Sequence, residues 1–510
     1  MKNRIIFGLI TAIICSLLSC CKKEIDNDER FRPQIHFSAE KNWTGEPSGL
    51  LYDNGEYHLF YQYNPDQPVL GNIHWGHAVS RDLLHWQSNP IAITPDSSGQ
   101  IYPGSVISDP DNTSGLGSTT TPAWLAFYTY HNPDNTNKPG KTIALAYSID
   151  KGLSWKKHSI PVLTADNETT FRNPHISWNE VCEQWLMTVS TGSTIQFYTS
   201  ANCLQWSFLS EFSSNTYSEG GWESSDFFPL QITDTVKWVL LVSMNGGPAG
   251  GAPATRYFIG DFDGKQFKPT QIQELWTDYG KDNYAATTCY DSSTNRRIIL
   301  SWMNSWDYAN LIPTQTRRGC MTFPRELTLV PEGKYTLLTS SPVKELNTLY
   351  GKTDSITNIK LSEKVEIFSD RQFPSSPFVI QLSFDNSKRH AIWAARDYGI
   401  RLKTKSGKYI SIGYKADMSY FYTDRSGLTT PSFSENFDQP TGAIYTSPNP
   451  VSDWFILVDR NSIELFTSGN RIAMTSLCYP DEPFDSFELY AGSGTITVLK
   501  ASVTELNKSN

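Results

Sequence analysis

Two glutamates and an asparagine are the residues of this chain best suited by type and setting to do chemistry. Glu46 sits in "NWTGEPSGLLY" at 42 to 52, a Gly/Pro-rich turn running into an apolar strand. Asn173 sits in "FRNP" at 171 to 174, and Glu223 in "GWESSDFFPL" at 221 to 230. Cleaving a glycosidic bond with retention takes two carboxyl groups facing one cleft, one as general acid and one as nucleophile, about 5 to 5.5 Å apart. Glu223 follows Trp222 and precedes an apolar strand, and burial beside an aromatic suits a carboxyl that must hold a proton. A single acidic residue in a turn is ordinarily a solvated charge. These stretches gain meaning only if the fold carries them, from far apart in sequence, to one place.

The elements that would do so are strands. Runs such as "GEYHLFYQY", "AWLAFYTYH", "KWVLLVSM" and "RRIILSWM" alternate apolar and aromatic residues and are separated by Gly, Pro, Asn and Asp turns, while helical periodicity is nearly absent. The chain therefore reads as all-β. It also repeats itself: "AVSRDLLHW" at 78 to 86, "AYSIDKGLSW" at 146 to 155 and "YTSANCLQW" at 198 to 206 share a strand ending in Ser, an Asp or Asn turn and a Trp opening the next strand. Hairpins recurring in this way predict the outer strands of successive propeller blades, and "FIGDFDGKQF" at 258 to 267 reads as a degenerate copy. In such a ring, paired carboxyls come from the inner strands of different blades. Past about residue 335 the Trp-rich hairpins stop, a Ser/Lys/Thr-rich stretch intervenes, and "YISIGYKADMSYFYTD" and "WFILVDRNSIELFTS" alternate more evenly, which predicts a separate β-sandwich.

Composition narrows the partners. The 510 residues carry a net charge of -9 with a pI near 5.6, and no basic stripe is visible, which argues against nucleic acid. Aromatic residues make up 13%, a level that suits sugar stacking but is also ordinary for β-rich chains. At the N-terminus Lys2 and Arg4 precede the apolar run Ile5 to Leu18, too short to span a membrane but right for a signal peptide. It ends in "LLSC", which resembles a bacterial lipobox with Cys20 as the lipidated residue; an ordinary cleaved signal is the other reading. The expected organisation is a signal over 1–20, a flexible tether over 21–33, a propeller over 34–340 and a sandwich over 341–510. Cys182, Cys203, Cys289, Cys320 and Cys478 show no metal-ligand spacing and read as mostly small buried apolar residues.

Taken in order, "NWTGEPSGLLY", "YHLFYQYNP", "IHWGHAVSRDLLHW", "YPGSV", "FRNPHISW", "WESSDFFPL", "DYGKDNYAATT", "SWMNSWDYA" and "RRGCMTFPREL" resemble glycoside hydrolase family 32, the levanases, inulinases and invertases, and "FILVDRNSIELF" resembles that family's C-terminal sandwich. The resemblance covers nearly the whole chain after residue 33. It implies a five-bladed β-propeller with a central funnel, a C-terminal β-sandwich, and hydrolysis of β-fructofuranosides with retention, without cofactor or metal. The family's nucleophile is an Asp in a Trp-Met-Asn-Asp-Pro-Asn-Gly turn, and Glu46 stands there, with Gly45 and Ser48 replacing the two Asn. Its transition-state stabiliser is the Asp of Arg-Asp-Pro, matched by Asn173 between Arg172 and Pro174. Its acid/base Glu is matched by Glu223, with Ser224 in place of Cys. Trp43, Gln62, Trp75 and Ser105 match positions lining the fructose subsite, and Trp302 and Trp306 its aromatic wall.

Asp to Glu moves the carboxylate outward by one C–C bond, and a misplacement of about 1 Å can cost on the order of 100-fold in rate. Asp to Asn at 173 removes a charge facing the transition state. Two readings follow: a lipid-anchored fructan hydrolase, or a degenerate hydrolase that captures fructan at the surface. A hydrolase of other furanosides, such as arabinans, ranks behind both. The expected partners are a fructan polysaccharide or oligosaccharide, the membrane through the lipid anchor, and proteins of a polysaccharide uptake system. The expected location is the cell envelope, at the outer membrane of a Gram-negative bacterium and facing outward.

Overall fold

The computed structural model describes residues 27–509, apart from position 98 and the segments 132–140, 165–169, 215–220, 369–372, 375–376, 429–431, 446–448 and 450. Cys20 and the expected signal peptide lie outside the described residues. Among the described residues, helix is confined to two turns, Asn27–Arg30 and Glu435–Asp438, and short 3-10 turns; the rest is strand and loop.

Five antiparallel sheets follow one another along the chain. Their first strands are Asn42–Asp53, Gln100–Asp109, Phe171–Asn179, Trp222–Ile232 and Tyr284–Asp291. Each packs against the next, and the fifth packs back on the first, so the sheets close a ring of five blades with these strands innermost. The closure is stitched by a parallel pairing, Asn42 with Arg317 and Trp43 with Arg318, which brings a segment from the end of the ring onto the first blade. The inner strands of the other four blades are sheet edges, and the ring turns them towards its centre, which is how a propeller keeps such edges short and protected.

The repeated turns behave alike in successive blades. Asp82, Asp150 and Asn202 each accept backbone N–H groups two to four residues on, and the Trp indole N–H returns to the backbone: Trp86 to Leu83, Trp155 to Gly152 and Trp206 to Cys203, at 2.9, 3.1 and 3.0 Å. The copy at 258–267 keeps the turn, with Asp263 accepting from Lys265 and Gln266, and lacks the Trp. An Asx side chain that caps its own turn fixes a hairpin locally, so this feature was open to the sequence.

Pro342 ends the last blade, and Tyr350–Leu361 opens a sandwich of two six-stranded sheets. Its core is a single apolar cluster containing Phe378, Ile400, Ile412, Trp454, Leu465 and Phe487. The interface with the propeller is ionic as well as apolar. His36 is buried between Asp459 at 2.8 Å and Glu464 at 2.7 Å, and Arg325 bridges Glu464 to Asp278, which it meets at 2.8 Å. Each buried charge is matched by an opposite one, as burial demands. Burial opposes the charge on His36, but the hydrogen bonds to the two carboxylates override it and hold its pKa up at about 9. The expected tether needs correction at its C-terminal end. Asn27–Arg30 is a helical turn, Arg30 donates to the Pro480 carbonyl, and Phe31 is buried edge-on against Tyr479. Four of the five cysteines in the described residues are buried, and Cys182 is exposed.

Candidate active site

Every inner strand is irregular near its beginning. Pairing slips between Thr44 and Gly49, between Ile101 and Gly104, between Arg172 and His175, between Glu223 and Ser225, and between Tyr284 and Thr287. A β-bulge inserts a residue, twists the strand and re-aims its side chains. Five bulges at the same end of five inner strands turn those side chains into one mouth of the ring. The backbone carries strain there: Asn173 and Ala285 have φ of 57° and 53°, a left-handed conformation that Asn tolerates and Ala disfavours.

Glu46 is 4% exposed, and its carboxyl accepts the Trp306 indole N–H at 3.0 Å. From the opposite blades, Arg172 ion-pairs with Glu223 at 2.7 Å, and the Tyr284 hydroxyl donates to the other Glu223 oxygen at 2.9 Å. The two glutamates act on each other. Burial and the neighbouring Glu223 raise the pKa of Glu46 to about 8, against the opposing pull of Trp306 and Arg172. Tyr284, pushed well above its ordinary value by burial, lies in the fields of both. Burial beside a second carboxyl thus favours keeping one proton on the pair. Burial was expected to act on Glu223 beside Trp222, and the structure differs. The Trp222 indole packs inward against Phe212 and Phe258, while Glu223 keeps a partly open side chain engaged by Arg172 and Tyr284.

Asn173 is pinned by its backbone N–H to Thr129 Oγ1 at 2.7 Å, and its amide Nδ2 donates to Ser224 Oγ at 3.1 Å. Two residues that depart from the family pattern, Asn173 and Ser224, are thus partners. Committing the amide nitrogen to Ser224 leaves Oδ1 as the oriented acceptor, so an acceptor survives at 173 although its charge does not.

Gly45 stands where the family pattern expects Asn. A Cβ there would stand 2.8 Å from Gln62 Oε1, 2.8 Å from Trp43 Nε1 and 2.9 Å from Gln62 Cβ. Gln62 and Trp43 have closed over the space an Asn side chain would take. Gln62 Oε1 and Trp43 Nε1 are also buried without a protein partner. A buried polar atom left in this way costs about 1 to 3 kcal/mol unless a ligand satisfies it. Trp43 stacks on Trp306 with centroids 6.0 Å apart.

The remaining expected residues sit behind this surface. Trp302 is fully buried and donates to the Thr44 carbonyl at 2.9 Å, so it buttresses the Glu46 segment, and Trp306 packs against it with centroids 4.6 Å apart. Trp75 is fully buried, packs edge-on to Tyr128 and donates to the Tyr102 carbonyl at 3.3 Å. Ser105 Oγ accepts the Ile176 amide at 3.1 Å, tying the second inner strand to the third. The indole N–H of Trp75 is thus committed to backbone, while Ser105 accepts from backbone and keeps its O–H to donate.

Three features escaped the sequence. Tyr284 lay in a quoted motif without a role. Lys141 carries its ammonium 5.9 Å from the Tyr102 ring centroid; burial and the Arg172 charge lower its pKa, while Glu223 opposes. The third is the sandwich's own grip on the site. Asp282, two residues before Tyr284, accepts from Arg425 at 2.6 Å, the Leu477 amide at 2.8 Å and the Tyr308 hydroxyl at 2.7 Å, and Tyr308 lies two residues after Trp306. Arg425 thus fixes the loops that hold both glutamates. Nothing local identifies it, since its partner is 143 residues away.

The profile of the glycosyl hydrolases family 32 N-terminal domain matches residues 36–342, and that of the family's C-terminal domain matches residues 345–505. A levanase of Bacillus subtilis (strain 168) is 35% identical over 526 residues, spanning 100% of this chain and 76% of the relative. An extracellular exo-inulinase of Aspergillus awamori is 31% identical, spanning 94% of this chain and 95% of that protein. The crystal structure of exo-inulinase from Aspergillus awamori superposes with a TM-score of 0.87 at 29% identity, covering 95% of this chain and 100% of that one. A fructofuranosidase from Schwanniomyces occidentalis complexed with fructose gives a TM-score of 0.84 at 30% identity, covering 95% of this chain and 100% of that one.

Proposed function

The chain belongs to glycoside hydrolase family 32, and from that premise we propose that it is a β-fructosidase of levan, inulin or sucrose-type substrates acting through Glu46 and Glu223. The observation that carries this is the meeting of two carboxyls from different blades, Glu46 at Trp306 and Glu223 at Arg172 and Tyr284, close enough for one to raise the other's proton affinity. In this reading the two glutamates share one proton, and the reacting form carries it on Glu223 with Glu46 as the carboxylate. Glu46 attacks the anomeric carbon as Glu223 gives that proton to the leaving oxygen, and Glu223 then takes one from the water that releases fructose. Asn173 Oδ1 and Arg172 orient the ring, Gln62 Oε1 and Trp43 Nε1 take hydroxyls, and Trp306 covers the apolar edge of the sugar.

A second reading has its own support. A nucleophile that burial keeps protonated and an uncharged residue at 173 are what a site selected for holding fructan, rather than cutting it, would carry. The N-terminal apolar run followed by Cys20 supports a lipid-anchored place in the cell envelope, at the outer membrane facing outward, beside proteins of a polysaccharide uptake system.

The test is fructose release from levan, inulin and sucrose by protein lacking residues 1–21, with Glu223→Gln as control. Turnover abolished by Glu223→Gln upholds the hydrolase. Binding to a fructan with no turnover in either protein upholds capture, and neither binding nor turnover overturns both.

A further inference from the structure

The sandwich carries a second concave site, far from the propeller mouth. Lys360, Thr497 and Asp385 lie side by side on three neighbouring strands, with Thr497 paired to both of the others. The residues next to them, Leu361, Phe384, Ile496 and Val498, are buried in the sandwich, so by strand alternation this triplet faces outward. Above the triplet the chain 386–395 folds back in successive turns to wall a cavity of about 390 Å³, which Asn386, Trp393 and Thr495 also line.

The wall is built rigidly. The Thr495 amide donates to the Trp393 carbonyl at 2.8 Å and the Ala395 amide to the Thr495 carbonyl at 3.0 Å, clamping the segment to the next strand. Asn386 is buried, its Oδ1 fixed by the Tyr398 hydroxyl at 2.7 Å. On this fixed frame Trp393 is 54% exposed, with the Lys388 ammonium 5.7 Å from its ring centroid. A large aromatic left open to water beside a polar cavity marks a binding surface.

We infer that this cavity is an accessory, non-catalytic glycan site, with Trp393 as the stacking platform for a sugar ring and Asp385, Asn386, Thr495 and Thr497 as partners for its hydroxyls. The inference rests on the fructan reading above and takes the ligand to be a segment of the same polysaccharide. It explains why an aromatic, a carboxylate, an amide and hydroxyls share one cavity that Lys360, Lys388 and Arg389 also line, since donors and acceptors together are what the hydroxyls of a sugar ring need. The flanking Ile392, 97% exposed, and the nearby basic residues raise a lipid surface as the rival occupant. Topology disfavours it. Asp385 pairs with Val451, at one end of the strand Val451–Val458, whereas the N-terminal segment is bound to Asp459 and Arg460, just past the other end. At about 3.3 Å per residue this sets the two some 25 Å apart, so the loop sits away from the end where the chain would be anchored.

The test uses protein lacking residues 1–21. Retention on levan and inulin in affinity electrophoresis is compared for Glu223→Gln, Glu223→Gln with Trp393→Ala, and Glu223→Gln with Asp385→Ala. Sucrose and levan turnover are compared for the wild type and for Trp393→Ala. Loss of about tenfold or more in polysaccharide retention with either cavity substitution, as expected for removal of one stacked ring, with sucrose turnover unchanged, upholds the site. Retention by Glu223→Gln that neither substitution weakens overturns this inference and leaves the active-site reading standing. Failure of every protein to bind or cut any fructan overturns that reading and this one together. Reduced binding of Trp393→Ala to anionic phosphatidylglycerol vesicles, with polysaccharide retention intact, assigns the loop to lipid and overturns the inference.

Discussion

Replacing Glu46 by Gln should flatten part of the protein's response to pH. Glu46 rises from an ordinary 4.5 to about 8, first through burial and then through Glu223. Between those values the folded state binds a proton that the unfolded chain gives up, so stability falls as pH climbs from 4.5 towards 8 and is fully retained below 4.5. At about 1.36 kcal/mol for each tenfold in proton affinity, the whole penalty is roughly 5 kcal/mol, of which about 2.5 kcal/mol accrues between pH 5 and pH 7. Unfolding entropy near 2.1 cal/mol/K per residue gives a chain of 510 residues about 1 kcal/mol for each degree of Tm. Glu46→Gln keeps an acceptor for Trp306 and cannot ionise. Its Tm, measured by calorimetry against the wild type, should therefore gain about 2 to 3 °C relative to the wild type on going from pH 5 to pH 7, with hydrolysis abolished throughout. Any constant offset from the substitution cancels in that comparison. A Tm difference that does not change between pH 5 and pH 8 would show that Glu46 is not held protonated and would refute the reasoning.

Other perturbations separate the remaining contributions. If Glu46 and Glu223 share the catalytic proton, kcat/KM on sucrose should fall as pH rises through about 8, where the pair loses it; Trp306→Phe, which removes a hydrogen bond that favours the carboxylate, should move that fall upward, and an unmoved fall would exclude Glu46 as its source. Asn173→Asp keeps a residue that tolerates the left-handed backbone and restores a charged acceptor; kcat/KM should rise by about 5- to 30-fold, the worth of roughly 1 to 2 kcal/mol, and no gain would mean that residue 173 does not face the substrate. His36 should weaken the folded state at alkaline pH: its stabilisation is present below about 6.5 and is lost as pH rises through about 9, so His36→Gln should have a lower Tm at pH 6 and converge on the wild type near pH 10. Arg425→Met leaves Asp282 buried without its cation and should cost about 3 to 5 kcal/mol of stability; if it leaves both Tm and kcat unchanged, the sandwich does not hold the catalytic loops.

How much of this was written in the chain depends on the distance over which each feature is decided. Strand alternation, the Asp- and Asn-capped turns at 82, 150, 202 and 263, and the change of character past residue 335 are short-range, and the sequence by itself determined them, because a period of two and a capped turn need only neighbouring residues. It also offered Glu46, Asn173 and Glu223, whose neighbours identified the family, but the turn expected at Glu46 is a bulged stretch of the first inner strand. What only the tertiary structure decided is which of these groups meet. Five blades had to close before Glu223 could reach Arg172 and Tyr284, and before Trp306 could reach Glu46 across 260 positions of sequence. The proton on Glu46 follows from burial against a second carboxyl, and burial is a property of the closed ring rather than of a turn. The backbone partners of the Trp75 indole N–H and of Ser105 Oγ likewise come from other strands and loops that only the folded ring brings near. The hold of the sandwich on the catalytic loops through Arg425 and Asp282 depends on two domains docking, and no local pattern encodes the position of a surface formed only when they meet.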